Sequence, residues 1–180
     1  MPTIFELVDD DAADALCDLL ARDPQAAGER DEQGLSPLFR AAYRGRSAAF
    51  DAIRRTVPPT DPWERLIAGE PDGLPTPDAW SADGFTPLHL AAFVDNAAAA
   101  RALLAAGADP DVVARASFAR VTPLGTAAFS GANEVVRVLL EHGADPTITG
   151  EAGGTPLDTA RANGNTELVA LLEAWASRRS

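Results

Sequence analysis

The sequence predicts an all-α solenoid of about five stacked helix-turn-helix repeats. A Ser/Thr-Pro-Leu motif recurs along the chain, and a Leu-Leu motif followed by Gly-Ala-Asp-Pro occurs in two places. The copies of the first motif begin at Ser36, Thr86, Thr122 and Thr155, and the step from Thr122 to Thr155 is 33 residues. Because a helix pair of this size cannot bury its apolar face alone, neighbouring pairs are expected to stack.

The first helix of each pair is expected to begin at the Ser/Thr-Pro step. Thr86 is a predicted N-cap, since its hydroxyl can accept a hydrogen bond from the first helical turn. Pro87 suits the next position, where its fixed φ fits a helix and its missing N–H costs nothing. In the repeat that begins at Thr122, Gly131 is the predicted left-handed residue that ends the first helix. In the third repeat Asp95 and Asn96 stand there instead, and asparagine tolerates this conformation.

The second helix of each pair shows apolar residues at helical spacing. In the fourth repeat this pattern covers residues 134–141. Gly143 and Pro146 then end the helix, because glycine favours a left-handed cap and proline blocks continuation. The aspartates of the following turns, Asp109 and Asp145, are predicted to accept hydrogen bonds from their own backbone.

The 33-residue period and the motif Thr-Pro-Leu-His at residues 86–89 resemble the ankyrin repeat. The resemblance is strongest between Gly84 and Trp175. It implies short β-turn fingers between successive helix pairs and a concave surface formed by the fingers and the ends of the first helices. It also implies a structural role for His89, whose ring would bond nearby loop backbone.

The repeats are expected to form one domain over residues 1–180. Its predicted parts are an N-terminal cap repeat (1–33), a second repeat (34–56), an insertion loop (57–80), a third repeat (81–116), a fourth repeat (117–149) and a C-terminal cap repeat (150–180). The step from Thr86 to Thr122 is 36 residues, about three more than the period, and the surplus lies within residues 112–120. A longer finger with a different turn is therefore expected there.

The insertion at residues 57–80 is rich in proline, which excludes a continuous helix. Asp61 and Pro62 predict the N-cap and first residue of one short helix. Two compatible interpretations remain open at this point. The segment either packs on apolar surface left by Phe50 and Ile53, or it also shapes a recognition surface.

The net charge of −12 argues against nucleic-acid binding, because phosphate contacts need clustered lysine and arginine. The same charge opposes binding to anionic membranes. The single Cys17 excludes an internal disulfide and fits the reducing cytoplasm. No segment has the apolar length of a signal peptide or membrane span. We therefore expect an acidic cytoplasmic protein that is monomeric by itself.

Five arginines cluster in the second repeat, and two explanations are open. The residues are expected either to be solvated parts of helix faces or to form a local basic spot for an acidic partner segment. They are Arg40, Arg44, Arg46, Arg54 and Arg55.

The residues that enzymes use are sparse in recognisable patterns. No Ser-His-Asp set, metal-ligand spacing or glycine-rich phosphate loop is present, so no catalytic residue, metal or cofactor is predicted. Whether the chain is an enzyme stays open, since one carboxylate or Tyr43 acting alone leaves no spacing signature. We expect a non-enzymatic module that recognises another protein through the concave face and the insertion. The alternative is small-molecule binding or catalysis in an apolar groove roofed by residues 57–80.

Three successive repeats carry an aromatic residue at the same position, directly after an Ala-Ala pair in the first helix. These residues are Tyr43, Phe93 and Phe129. The resemblance places this position on the concave surface, where exposed aromatic groups mark interaction sites. Alternatively, the insertion folds over these residues and buries them. The predicted partner-binding residues are Leu35, Tyr43, Arg44, Trp63, Trp80, Phe85, Phe93, Val94, Phe118, Val121, Phe129, Ser130 and Asn163.

Overall fold

The computed structural model describes residues 2–117, 119–150 and 153–178. Within these ranges the chain is helical and contains no strand, so the predicted all-α fold of ankyrin-type helix pairs is confirmed. A 3-10 helix covers Pro24–Gly28. The α-helices are α1 (Ile4–Asp9), α2 (Ala13–Arg22), α3 (Pro37–Tyr43), α4 (Ser47–Thr56), α5 (Pro62–Ile67), α6 (Pro87–Phe93), α7 (Ala97–Ala105), α8 (Pro123–Ser130), α9 (Asn133–Glu141), α10 (Pro156–Ala162) and α11 (Thr166–Ser177).

The helix pairs belong to two compact units, unit 1 (Met1–Ala68) and unit 2 (Gly69–Ser180). In unit 1, α1 packs against α3 and α2 packs against α4. In unit 2, the first helices stack in the order α6, α8, α10, and the second helices stack in the order α7, α9, α11. The boundary between the units lies inside the predicted insertion. The assignment of residues 1–180 to one domain stays a prediction.

Each unit has an apolar core between its two layers of helices. The largest core side chains are at most 2% exposed; they include Leu16, Leu20 and Ile53 in unit 1, and Leu88, Leu124 and Leu139 in unit 2. Full burial of a leucine contributes about 1.5–3 kcal/mol. Helices of six to twelve residues are marginal in isolation, so this stacking stabilises them more than their intrinsic helix propensity does.

The first helices begin as the Ser/Thr-Pro motif predicts. The hydroxyl oxygens of Ser36, Thr122 and Thr155 accept hydrogen bonds from the amide three residues later, at 3.4, 3.1 and 3.2 Å. A proline occupies the first helical position in each case. These caps satisfy amides that the helix itself leaves unpaired.

The left-handed residue at the end of α6 is Asp95, with φ 51°, and the expectation that placed it on Asn96 is wrong. Asn96 instead caps α7, because its side-chain oxygen accepts a hydrogen bond from the Ala99 amide at 3.0 Å. The Asp95 carboxylate accepts a bond from the Val135 amide in the first turn of α9, at 3.2 Å. Asp95 therefore both ends α6 and caps a helix of the next repeat.

The first part of the insertion forms α5, as predicted. Asp61 is its N-cap and accepts a hydrogen bond from the Trp63 amide at 2.9 Å. The helix packs against α3 and buries Leu66 and Ile67, which are 0% and 2% exposed. This part of the insertion thus packs on unit 1, where it contacts the first helix of the second repeat.

Finger aspartates bond their own backbone, which confirms the sequence prediction. Asp109 accepts from the Asp111 amide at 2.9 Å, and Asp145 accepts from the Thr147 amide at 2.8 Å. The Asp111 carboxylate in turn accepts from the Asp145 amide at 2.8 Å, so neighbouring loops of unit 2 are joined. These bonds hold the fingers at the ends of the helices that they connect.

Candidate functional site

Phe129 is the most exposed large apolar side chain among the described residues, with 67% of its surface accessible. It lies in the last turn of α8, a helix that begins at the Thr122 cap and ends at left-handed Gly131. The neighbouring face of the same helix carries Leu124 and Ala127, both 0% exposed. The packing of α8 therefore fixes the helix while it leaves the Phe129 ring in water.

Hydrogen bonds between adjacent first helices hold the backbone around Phe129. The Ser130 hydroxyl donates to the carbonyls of Thr126 and Ala92, at 2.8 and 3.1 Å. The Asn163 side-chain amide donates to the Phe129 carbonyl at 3.2 Å. These contacts tie α8 to α6 on one side and to α10 on the other, so the predicted residues Ser130 and Asn163 meet Phe129 in space.

The equivalent residues of the third repeat lie at the end of the adjacent helix α6. Phe93 and Val94 are half-buried, in contrast to Phe129. Because α6 stacks directly on α8, the ends of these helices form one continuous face of unit 2. We define the Phe129 surface as Phe93, Val94, Phe129, Ser130 and Asn163.

The predicted residues of unit 1 are mostly engaged within that unit. Leu35 is half-buried, and its amide donates to Asp31 at 3.0 Å. Tyr43 is half-buried and makes an edge-on contact with Phe39, with ring centroids 5.8 Å apart. Trp63 is half-buried on α5.

Three arginines of the second-repeat cluster, Arg40, Arg44 and Arg54, form ion pairs with aspartates of unit 1. Arg40 binds Asp9 at 2.6 Å and Asp31 at 2.9 Å, and exposed Arg44 binds Asp9 at 3.0 Å. The hydrogen bond from Arg40 lowers the pKa of Asp9 and, reciprocally, raises the pKa of Arg40. Burial acts to raise the pKa of Asp31, but hydrogen bonds from Leu35 and Arg40 outweigh it. Arg40 is therefore neither a solvated surface residue nor part of a free basic spot.

Finger residues of the third and fourth repeats differ in exposure. Phe85, a predicted partner-binding residue, is buried at 9% exposed and packs on the His89 ring, with centroids 5.7 Å apart. Val121 and Trp80 are half-buried. Phe118, also predicted to bind the partner, lies outside the described residues.

His89 is a buried structural residue, as its motif position implies. The Thr86 amide donates to its Nδ1 at 3.3 Å, and its Nε2 lies 2.9 Å from the Val121 carbonyl, which assigns the proton to Nε2. Burial lowers the pKa of His89 to about 4, although the bond to Val121 acts in the opposite direction. The ring is neutral at pH 7 and is saturated by structural hydrogen bonds.

A pocket of unit 2 lies away from the predicted insertion loop. One pocket of unit 2, with a volume of about 340 Å³, is lined by Leu140, Glu141, Gly143, Trp175 and Arg178, none of which belongs to residues 57–80. In the described part of the chain, no group of three His, Cys, Asp or Glu side chains is arranged to hold a metal ion. Every described helix is too short or too polar to cross a membrane.

Arg115 is a surface residue that sequence reasoning missed. Its guanidinium carbon lies 3.8 Å from the centroid of the Trp80 ring. The signal was present in the sequence, because the two residues are 35 positions apart and thus close to one repeat period. Residues one period apart lie side by side when repeats stack.

Comparison with known proteins agrees with the helix pairs of unit 2. A family model described as "Ankyrin repeat" matches residues 83–115, and one described as "Ankyrin repeats (many copies)" matches residues 124–173. The chain is also similar to human neurogenic locus notch homolog protein 4, with 41% identity over 90 residues. That alignment covers 48% of this chain and 4% of the human protein.

Stacked helix pairs joined by fingers define the class of helical repeat proteins. The family matches and the motif residues show that this chain is an ankyrin repeat protein. Ankyrin repeats are generally protein–protein interaction modules, so binding of other proteins is the function expected of the class.

Proposed function

We propose that unit 2 recognises another protein through the Phe129 surface. The observation that carries this proposal is the 67% exposure of Phe129 at the end of a well-packed helix. An aromatic side chain held on rigid backbone loses little conformational freedom on binding, which favours affinity. Large aromatic residues near the centre of an interface are typical hot spots.

The remaining predicted residues are proposed as further partner contacts. They include the half-buried or exposed side chains of unit 1 and of the fingers, whereas buried Phe85 supports the finger from inside. The proposed further contacts are Leu35, Tyr43, Arg44, Trp63, Trp80 and Val121.

We also propose that the chain acts in the cytoplasm, is monomeric by itself and does not bind nucleic acid. The net charge of −12 supports the last two statements, because like-charged surfaces repel each other and the phosphate backbone. The free Cys17 supports a reducing compartment.

Replacement of Phe129 by alanine tests the proposed function. Proteins captured from a native extract by the wild-type chain are identified and purified, and their affinity for Phe129→Ala is measured by calorimetry. We expect a loss of at least about 2 kcal/mol, or roughly 30-fold, because truncation removes the central aromatic contact. The melting temperature should change little, since the ring is exposed.

Val113→Ala is the matched control. Val113 is the other large apolar residue that is exposed among the described residues, at 40%, and it lies outside the Phe129 surface. We expect its variant to bind each partner as the wild type does. Partners that bind Phe129→Ala with unchanged affinity would contradict the proposal.

A further inference from the structure

The finger that precedes Thr122 in unit 2 is a loop that carries two arginines, Arg115 and Arg120. The Ala114 amide donates to the Val121 carbonyl at 2.9 Å, and the Arg115 amide donates to the Gly84 carbonyl at 2.8 Å. Arg115 directly follows Ala114 and Arg120 directly precedes Val121, so the two arginines belong to the same short loop closed by this bond. Both residues are exposed. Two guanidinium groups are therefore available on one short loop.

Arg115 differs from three other arginines of unit 2 in the group that its guanidinium contacts. Three of those arginines bind glutamates, in the pairs Arg101–Glu141, Arg137–Glu167 and Arg161–Glu173 at 3.2, 3.1 and 2.7 Å. Arg115 instead stacks on the face of Trp80 at 3.8 Å. Among the described residues, neither Arg115 nor Arg120 has a side-chain hydrogen bond or an ion pair.

Stacking on Trp80 prepares the Arg115 guanidinium for an incoming anion. The contact uses the face of the planar guanidinium group. Its N–H donors point outward along the edges and stay available for hydrogen bonds. Such donors match a carboxylate with two parallel hydrogen bonds. Because the ring restricts the side chain before binding, less conformational entropy is lost when the pair forms.

Carboxylates on nearby loops of the chain are already engaged. Asp83 accepts from the Ser81 hydroxyl, Asp109 accepts from the Asp111 amide, and Asp111 accepts from the Asp145 amide. The acidic charge of the rest of the chain is screened over about 8 Å at physiological ionic strength. Short-range, charge-assisted hydrogen bonds from the two guanidinium groups therefore supply the attraction for an acidic partner.

We propose that this finger binds acidic side chains of a partner protein segment whose apolar side chain contacts Phe129. The inference rests on the proposed function of the Phe129 surface and specifies the chemistry of its partner. Helix α8 connects the finger to Phe129 and has eight residues, which gives a length of about 12 Å. An extended segment spans this distance with about four residues. The recognised segment thus carries Asp or Glu about four residues from a large apolar residue.

A peptide-display selection tests this inference on the full chain. The probe is a library of 12-residue peptides with one central Phe or Leu and all other positions random. We expect the wild-type chain to enrich peptides with Asp or Glu near the fourth residue from the anchor. The selected peptide is then synthesised with a fluorescent label for anisotropy titrations.

A double variant of the finger separates the effect of its two arginines from the effect of the net charge of the chain. Arg115→Gln with Arg120→Gln should weaken the selected peptide about tenfold or more, because charge-assisted hydrogen bonds are lost. Arg101→Gln with Arg161→Gln removes the same two charges at arginines that are already ion-paired, and binding should stay within about twofold. Equal losses in the two double variants would overturn the inference.

Phe129→Ser distinguishes the inference from the proposed function. If the wild type selects apolar peptides without acidic enrichment, and Phe129→Ser loses them, the inference is overturned while the proposed function stands. If Phe129→Ser selects the same peptides as the wild type, or no peptide is enriched, both are overturned. Tighter binding of a labelled 12-residue uridine oligonucleotide than of the selected peptide would assign the finger to nucleic acid and also overturn the inference.

Discussion

At the residue scale, His89 makes the stability of unit 2 depend on acidity. The side chain is 0% exposed and is neutral in the folded protein, with burial lowering its pKa from 6.5 to about 4. The unfolded chain binds a proton at this residue below about pH 6.5, whereas the folded chain does so only near pH 4. Unfolding is therefore favoured as the pH falls through this window.

We expect the free energy of unfolding to fall by about 2 kcal/mol between about pH 7.5 and about pH 5 because of His89. Urea denaturation at the two pH values measures this loss. For His89→Asn, the fall in the free energy of unfolding should be smaller by about 2 kcal/mol, because asparagine does not titrate. The comparison isolates His89 from carboxylates that titrate at lower pH.

His142→Asn is the control for this pH dependence. His142 is exposed, and its Nδ1 lies 2.8 Å from the Val138 carbonyl of its own helix. If His89→Asn and the wild type lost the same free energy between the two pH values, the buried neutral state of His89 would be refuted.

At the scale of helices, an aspartate that follows a first helix bonds to the second helix of the next repeat. Asp95 ends α6 in a left-handed conformation and caps the first turn of α9 at 3.2 Å. Asp11 does the same in unit 1, with φ 54° and a bond of 2.7 Å to the Ala49 amide in the first turn of α4. The bond thus couples the end of a first helix to the start of a second helix one repeat later. Burial raises the pKa of Asp95, and the bond from Val135 offsets this in part.

Substitutions at Asp95 should separate the backbone effect from the capping effect. Asp95→Asn keeps a side-chain acceptor and should change stability by less than about 0.5 kcal/mol. Asp95→Ala loses the cap and should cost about 1 kcal/mol. Asp95→Gly should lie between these two, because relief of the left-handed strain offsets the lost cap. Denaturant midpoints measured for the three variants check this order.

Gly131→Ala provides the control for left-handed strain. Gly131 holds the equivalent position in the next repeat with φ 72°, and an added Cβ would lie 3.5 Å from the Asn165 side chain. The variant should cost about 1–2 kcal/mol from strain alone. An Asp95→Ala midpoint equal to that of the wild type would show that the bond to Val135 contributes nothing.

At the scale of the whole molecule, acidic charge is combined with an aromatic residue in water. The chain has a net charge of −12, and several of its arginines are used in internal ion pairs. An exposed phenylalanine favours self-association, whereas a large net charge of one sign opposes it. The balance of these two effects decides the oligomeric state.

We expect the purified chain to be monomeric at micromolar concentration, because an isolated exposed ring buries too little area for a stable dimer. Light scattering coupled to size exclusion checks the molecular mass against 18.8 kDa. A stable dimer that disappears in Phe129→Ala would contradict the prediction and assign the Phe129 surface to self-association. High salt should leave the monomer unchanged.

Features that depend on nearby residues were predictable from the amino-acid sequence alone. These include the helix starts at the Ser/Thr-Pro motifs, the short helix α5 after Asp61, and the turns of Asp109 and Asp145. The stabilising hydrogen bonds join residues two or three positions apart. Local chemistry is sufficient to predict them, because the partner of each group is fixed by its position in the chain.

The partners of surface groups depend on contacts between residues far apart in the chain, so they became known from the folded structure. Arg40 pairs with Asp9 across 31 positions, and Asp95 caps Val135 across 40 positions. Phe85 is buried, whereas Phe129 stays in water, although the sequence predicted that both bind a partner. The repeat pattern defines which positions meet, but the packing of neighbouring helices and fingers determines what each side chain contacts. The exposure of Phe129 and the stacking of Arg115 on Trp80 follow from that packing.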